Sequence, residues 1–397
     1  MVRATQAHTF IWELPGWPKF TWDGERLAGP LDSARRAQGR LLGVVQAVGG
    51  LIADEAAVGA MAREVVGNSA IEGVEFDLES VRASMRLRLG FAANLAQVTG
   101  NTKRVDPVVG VLAEATEGWR EPLTLERLFG WHRALFPKGI PDGHQTLPAG
   151  ELRGQYPMVV ATLSRRIGEP ERVDFEAPGR EGLDAALGDF LVWFNQPPEG
   201  LNGLLRAGLA HLWFLTLHPL ADGNGRLART LTDLALSQDE QLPWRFYSMS
   251  IQFMSNKPAY YRMLEQAQRG SLDITNWLSW FLSQMEAATV LGVQEVGWVL
   301  ARGHFWAEVR RLPLNERQER ALQNLLSPMS ADLAVSNRRY RAITKASRAT
   351  AARDLADLAG MGLVVPFGQA RSASYRVALD RFLPAGFRTG AEPGRSR

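Results

Sequence analysis

At 397 residues, with 46% hydrophobic and 22% charged side chains, the chain has the composition of a soluble globular protein and the length of two or three domains. It has no apolar run of about 18 residues, which argues against a transmembrane helix, and its zero cysteines exclude a disulfide framework or a thiolate metal site. The formal net charge of +3 divides unevenly: residues 331–397 hold twelve Arg or Lys against five Asp or Glu, a balance of +7, while the preceding residues carry −4.

The first residues lack the apolar core of a signal peptide, so a cytoplasmic protein without membrane contact is expected. Trp12, Trp17 and Trp22 lie among Pro15 and Pro18, which rule out a helix interior, and the rings are expected to pin an extended arm to the first helices. From Pro30 to about Val66 the apolar spacing is helical, with a break at Gly49-Gly50 and a closing signal at Gly67-Asn68. A new segment then opens at Ser69, where Ser69 and Glu72 have the spacing of a capping box. Residues 75–101 read as another helix, with Arg82, Arg86 and Arg88 on a solvated face. Thr124 caps a helix reaching Phe136, and residues 181–195 form an amphipathic one. Between them, Pro137 to Gly150 reads as loop, and Gly150 to Val160 as a short strand or hairpin.

Leu204 to Leu217 is apolar almost all round, which implies a central buried helix ending at His218, and a second helix begins at Arg226. The twelve residues His218-Pro219-Leu220-Ala221-Asp222-Gly223-Asn224-Gly225-Arg226-Leu227-Ala228-Arg229 form the joint. Helix-start N–H groups bind anions, and Gly223 and Gly225 let phosphate oxygens approach the backbone. Arg226 and Arg229 are one turn apart, within reach of successive phosphates. Asp222 would repel bare phosphate but suits a Mg²⁺ shared with it. His218 can take a proton from an incoming hydroxyl. Phosphoryl or nucleotidyl transfer is the expected reaction class. His132, His144, His211 and His304 lack such a setting and read as structural or surface residues.

Further helices are expected over Asn256 to Leu264 and Ile274 to Leu291. Then Arg338 to Thr344, Ser347 to Ala359, Gly362 to Val365 and Ser374 to Val377 read as helix, helix, strand, strand. That is a winged helix-turn-helix pattern, with Gly368 to Ala373 turning between the strands and Ser347 capping a helix that carries Arg348 and Arg353. The fold class is therefore mainly α: a helical core with a small hairpin, plus a C-terminal winged helix. The expected divisions are 1–100, 101–300, 311–380 and a basic tail at 381–397.

The segment 218–229 resembles the signature of the Fic family, His-Pro-Phe-x-Asp/Glu-Gly-Asn-Gly-Arg-x-x-Arg, departing only at Leu220, where the family usually has Phe. The resemblance implies an all-helical Fic core that transfers AMP from ATP to a protein hydroxyl, on a target or on itself. It implies His218 as general base, Asp222 as Mg²⁺ ligand, and Gly223, Asn224, Gly225, Arg226 and Arg229 as the phosphate cradle. It further implies a flap at residues 150–160 that aligns the target peptide, and Asn256 and Tyr261 beside the nucleotide base. Asn68 to Gly73 resembles the family's inhibitory helix, Ser/Thr-x-x-x-Glu-Gly/Asn, except that Asn68 replaces Ser/Thr. Glu72 would then pair with Arg229 and occupy the arginine meant for the γ-phosphate. Removal of AMP, transfer of other phosphate-containing groups, and a nucleotide-sensing DNA-binding regulator are the alternatives. DNA or protein contact through the winged helix, and a homodimer, stay open.

Overall fold

A computed structural model describes residues 10–90, 102–142, 145–162, 172–326, 333–367, 374–384 and 387. The chain divides into two units, one of Met1–Leu42 and Ala57–Gly292, the other of Gly43–Ala56 and Val293–Arg397. By packing, residues on both sides of position 100 fall in the first unit. Val58, Met61 and Val65 share a core cluster with Val81, Met85, Val109 and Leu112, so helices before and after residue 100 pack on one another.

Helices α1 (Gly24–Val48) and α2 (Gly50–Ile71) meet at Gly49 and Gly50, both with positive φ, as the break predicted, and residues 43–56 around this joint belong to the second unit. Then come α3 (Leu78–Arg88), α4 (Asp106–Glu117) and α5 (Leu125–Leu135), which Thr124 caps by accepting from Arg127 N–H. Two hairpins follow: β1 (Ile140–Asp142) with β2 (Gln145–Leu147), and β3 (Val159–Thr162) with β4 (Arg172–Glu176). The first falls in the expected loop. The second begins only where the expected strand was to end, and residues 151–158 carry no strand.

Helices α6 (Leu183–Asn195), α7 (Gly203–Leu217) and α8 (Asn224–Glu240) match their predicted positions, α8 starting two residues early. Every residue of α7 from Leu204 to Leu217 is buried, and α8, α6 and α10 (Lys257–Gln268) pack on it. Each Leu or Phe so buried contributes about 1.5–3 kcal/mol, which makes the α7–α8 pair a rigid base for the turn between them. Short α9 (Met249–Ser255) precedes α10, and α11 runs Thr275–Val309, well past Leu291.

The arm packs differently from expectation. The Trp12 indole donates to Glu176 O, Phe10 meets the Phe175 ring edge-on at 5.3 Å, and Trp17 and Phe20 lie against Trp213 of α7. It thus braces β4 and the central helix rather than the first helices. Arg82 also departs from expectation: it is buried, 3.7 Å from Glu79. Residues 91–101, placed in the same predicted helix, lie outside the described residues, as do His144, the 368–373 turn and most of the basic tail.

The second unit contains α12 (Glu316–Leu325), β5 (Ala334–Ser336), α13 (Asn337–Thr344), α14 (Arg348–Gly360), β6 (Val364–Phe367) and β7 (Ser374–Val377), the strands pairing antiparallel as β5-β7-β6. Buried Asp354 of α14 ties three helices together. It accepts from Arg317 Nε at 2.9 Å, Asn315 Nδ2 at 3.2 Å and the Tyr340 hydroxyl at 3.0 Å. Burial alone would raise its carboxyl, but these bonds outweigh it and hold it below the usual carboxylate value. Asp354→Ala is expected to destabilise this unit by about 2–4 kcal/mol, because charged hydrogen bonds contribute about 1.5–3 each and Tyr340 is left unpaired. Since the folded value is the lower one, this stabilisation is complete above the ordinary carboxylate range and is lost as pH falls through the folded value. Faster exchange of the 333–367 amides in the variant would register the loss; unchanged protection would contradict it.

Candidate active site

The turn between α7 and α8 is built by backbone geometry that few side chains tolerate. His218 caps α7 in the left-handed region (φ 47°, ψ 54°), and Gly223 caps α8 with φ 81°. A non-glycine residue held there costs about 1–3 kcal/mol, and its surroundings hold it in place. Arg153, buried on the 151–158 segment, donates from Nε to His218 O at 2.8 Å and to Pro178 O, while its backbone N–H donates to Pro219 O at 2.9 Å. Asn224 closes the turn by accepting from Leu220 N–H at 3.0 Å and donating to Leu220 O at 2.8 Å. One amide N–H and the amide oxygen are thus engaged within the loop.

His218 Nδ1 lies 3.2 Å from Leu215 O, which accepts the Nδ1 proton and leaves Nε2 as the free acceptor. Burial pushes this imidazole down to about 4, partly countered by the Leu215 bond. It is therefore neutral near neutral pH, the state a general base requires.

His132 braces the loop from behind. Gly150 N–H donates to its Nδ1 at 3.0 Å, so its Nε2–H donates to Asp222 O at 3.1 Å. The Asp222 side chain stays exposed, with one oxygen 3.9 Å from Arg226.

His218, Asp222 and Asn224 line a cavity of about 520 Å³ with Glu72, Gly223, Gly225, Arg229, Tyr260 and Tyr261. That volume lies within the range of small-ligand sites. Two predicted residues are elsewhere. Arg226 lies over the Phe136 ring at 4.5 Å and does not line the cavity. Three residues turn a helix by about 300°, so Arg226 and Arg229 point in directions some 60° apart. Asn256 is exposed and caps α10 by accepting from Ala259 N–H, outside the cavity lining; Tyr261, 43% exposed, does line it.

Glu72 follows directly on α2, which passes through Gly67, Asn68 and Ser69 without a break; the capping-box reading of Ser69 does not hold. Arg229, 2% exposed at its side chain, donates to Glu72 Oε1 at 2.6 Å and from Nε to Asn68 Oδ1 at 2.7 Å. Asn68 also donates to Arg226 O at 3.3 Å. On the other side, His211 accepts from the Tyr260 hydroxyl at 2.8 Å while its Nδ1 meets Thr232, and Tyr260 in turn bonds Arg229. Burial would raise the Glu72 carboxyl, but Arg229, with Arg226 and Lys257, outweighs it and holds the group below its usual value. A Cβ on Gly225 would lie 2.4 Å from Glu72 Oε1. The carboxylate therefore rests on the glycine at the start of α8, where an anion would sit.

Asp222 lines the cavity together with Glu72, Asp174 and Glu265, and no cluster of three or more His, Cys, Asp or Glu suited to a metal occurs among the described residues. One carboxylate fits a magnesium ion brought with phosphate and water ligands, rather than a cage made by the protein. Arg153 was missed as a site residue, because its partners are backbone carbonyls that leave no spacing pattern. His132 and His211, read as structural or surface residues, are buried and hydrogen-bonded behind the site.

The β3–β4 hairpin brings Val160, Asp174 and Phe175 to the same cavity. Val159, Val160 and Val173 are each about 40% exposed. Arg269 anchors the hairpin by donating to Asp174 O at 2.9 Å and Val173 O at 2.5 Å.

Residues 122–236 match the model of the Fic/DOC family, and residues 10–91 match a domain of unknown function, DUF4172. The chain is similar to a protein adenylyltransferase Fic of Nematostella vectensis, 24% identical over 206 residues, or 52% of this chain and 43% of that relative's length. It thus spans less than half of that protein. Its fold is similar to a Fic family protein from Desulfovibrio desulfuricans G20, with TM-score 0.50 and 18% identity, covering 91% of this chain and 98% of the other. A Fic-domain-containing signalling protein from Bacteroides thetaiotaomicron VPI-5482 matches at TM-score 0.49 and 16% identity over 66% of this chain and 96% of its own. No described helix is long and apolar enough to cross a membrane.

Proposed function

We propose that this chain, which carries a Fic/DOC-family domain at residues 122–236, transfers AMP from ATP to a hydroxyl side chain of a protein and is held back by its own Glu72. The observation that carries the reading is one cavity holding a neutral His218 with a free Nε2, the start of α8, and Arg229. A target segment adds to the β3 edge, which pairs with a strand on one side only among the described residues. His218 Nε2 takes the proton of the target hydroxyl as its oxygen attacks the α-phosphorus. The new P–O bond forms as the bond to the bridging oxygen breaks, and pyrophosphate leaves. Backbone N–H groups at Gly223 to Gly225 and the Arg229 guanidinium hold the polyphosphate, and Tyr261 borders the base. Asp222 would hold Mg²⁺, which supplies charge neutralisation on the phosphates.

Parallel incubations with ATP labelled at the α- or γ-phosphate test the reaction class. Protein-bound label from the α position alone is expected; label from the γ position would replace AMP transfer with phosphoryl transfer.

Arg153 acts as a positioning residue. Without it His218 loses the partner of its carbonyl, and displacement of a reacting group by about 1 Å costs on the order of 100-fold. Arg153→Ala is expected to lower kcat by about 10- to 100-fold while nucleotide affinity stays near wild type, because Arg153 does not line the cavity. Arg153→Lys should recover little, since an ammonium cannot span two carbonyls in a fixed fork. A loss confined to nucleotide affinity would contradict this role.

A further inference from the structure

The second unit offers a surface the transferase reading does not use. Its element order is helix, strand, helix, helix, strand, strand, with the three strands in one antiparallel sheet. Helices α13 and α14 are joined by Lys345–Ser347, where Lys345 takes φ 60° and Ser347 caps α14 by accepting from Thr350 N–H. Asn337 Nδ2 donates to Arg348 O at 3.1 Å, so the starts of the two helices are neighbours and Arg338 comes near Arg348. Buried Asp354 and a core of Val335, Tyr340, Leu355 and Leu363 fix this arrangement.

The outward face is basic. Arg338, Arg341, Lys345, Arg348 and Arg353 are all exposed, and none of the five forms an ion pair among the described residues. Between the arginines, α14 exposes Ala349, Ala352 and Ala356, and its single exposed carboxylate, Asp357, lies in the last turn. Small side chains flanked by guanidinium groups let a helix sink between two phosphate rails. A protein partner would instead call for large apolar or aromatic anchors at the centre of the contact, and α14 exposes none. The major groove of B-form DNA is about 12 Å wide and admits one helix, whereas that of A-form RNA is too narrow to be read.

We propose that the α13–α14 face binds duplex DNA, with the alanine face of α14 entering the major groove, Arg348 and Arg353 on its two flanks reaching the phosphates beside it, and Arg338, Arg341 and Lys345 facing further phosphates. This is the docking geometry of a helix-turn-helix, and it stands independently of the transferase reading.

Fluorescence anisotropy of the full chain with a labelled mixed-sequence duplex tests it. Affinity is expected to fall with salt between about 50 and 200 mM, with a log–log slope of about −3.5 to −4.5 for four to five phosphate contacts. Removing Arg338, Arg341 and Lys345 as a triple alanine variant should flatten that slope by about 2 to 3. Arg348→Gln with Arg353→Gln should flatten it by about 1 to 2. Both variants should melt like wild type, since all five side chains are exposed. No anisotropy change at the lowest salt, equal binding of single-stranded DNA of the same length, or undiminished binding by both variants would each overturn the proposal.

Discussion

Replacing His218 is expected to lower AMP transfer by about 10²- to 10⁴-fold, the contribution of a positioned general base. His218→Asn is the cleaner substitution, because asparagine tolerates the left-handed backbone at this position, whereas alanine would add about 1–2 kcal/mol of strain. The wild-type pH profile should carry a matching signature. Burial holds the imidazole at about 4, and only the neutral form accepts a proton, so kcat/KM falls as pH drops through that value. The acid limb should therefore lie well below the ordinary histidine value of about 6.5. A His218→Asn enzyme that keeps wild-type turnover would remove His218 from the reaction, and a limb near the ordinary value would contradict the effect of burial on its imidazole.

The second large effect is expected in the opposite direction. Glu72→Gly should raise transfer by about 10- to 100-fold, since a hydrogen bond between charged partners contributes about 1.5–3 kcal/mol and each 1.4 kcal/mol is tenfold. The carboxylate holds Arg229 at 2.6 Å and lies against Gly225, so it occupies both the cation and the space a terminal phosphate needs. Arg229 should not collapse in the variant, because Asn68 and Tyr260 still hold it. The gain should therefore appear mainly as tighter ATP binding. Glu72→Gln, which keeps the shape but drops the charge, should fall between the two. Unchanged labelling by Glu72→Gly would leave the carboxylate a structural role only.

Legibility of the sequence followed the locality of each interaction. Helices α5 and α6 were readable because their apolar stripes repeat over three or four turns with a cap or a proline at the end, and α7 because it is apolar almost all round over four turns. The 218–229 joint was readable because its polar and glycine residues are contiguous. Asn68 and Glu72 were found only through the resemblance. The Gly67-Asn68 stop signal failed for a tertiary reason: a Cβ at Gly67 would lie 2.9 Å from Ile251 N, so this glycine serves close helix packing and α2 continues.

Arg226 and Asn224 show the complementary limit. Both sit in the motif, yet Phe136 claims the Arg226 guanidinium and the Leu220 backbone claims the Asn224 amide. Spacing alone could not show either competitor. The same holds for Asn256, whose side chain caps its own helix, and for the tryptophan arm, whose partners Glu176 and Trp213 lie more than 150 residues away.

Intact-mass and peptide mass spectrometry after incubation with ATP and Mg²⁺, comparing wild type, Glu72→Gly and Glu72→Gly with His218→Asn, tests the central claim most directly. An adduct of the mass of AMP, weak in wild type, strong in Glu72→Gly and lost in the double variant, is the predicted result. No adduct in any of the three, or an equal adduct in the double variant, would contradict the assignment of His218, Arg229 and Glu72 to one regulated nucleotidyl-transfer site.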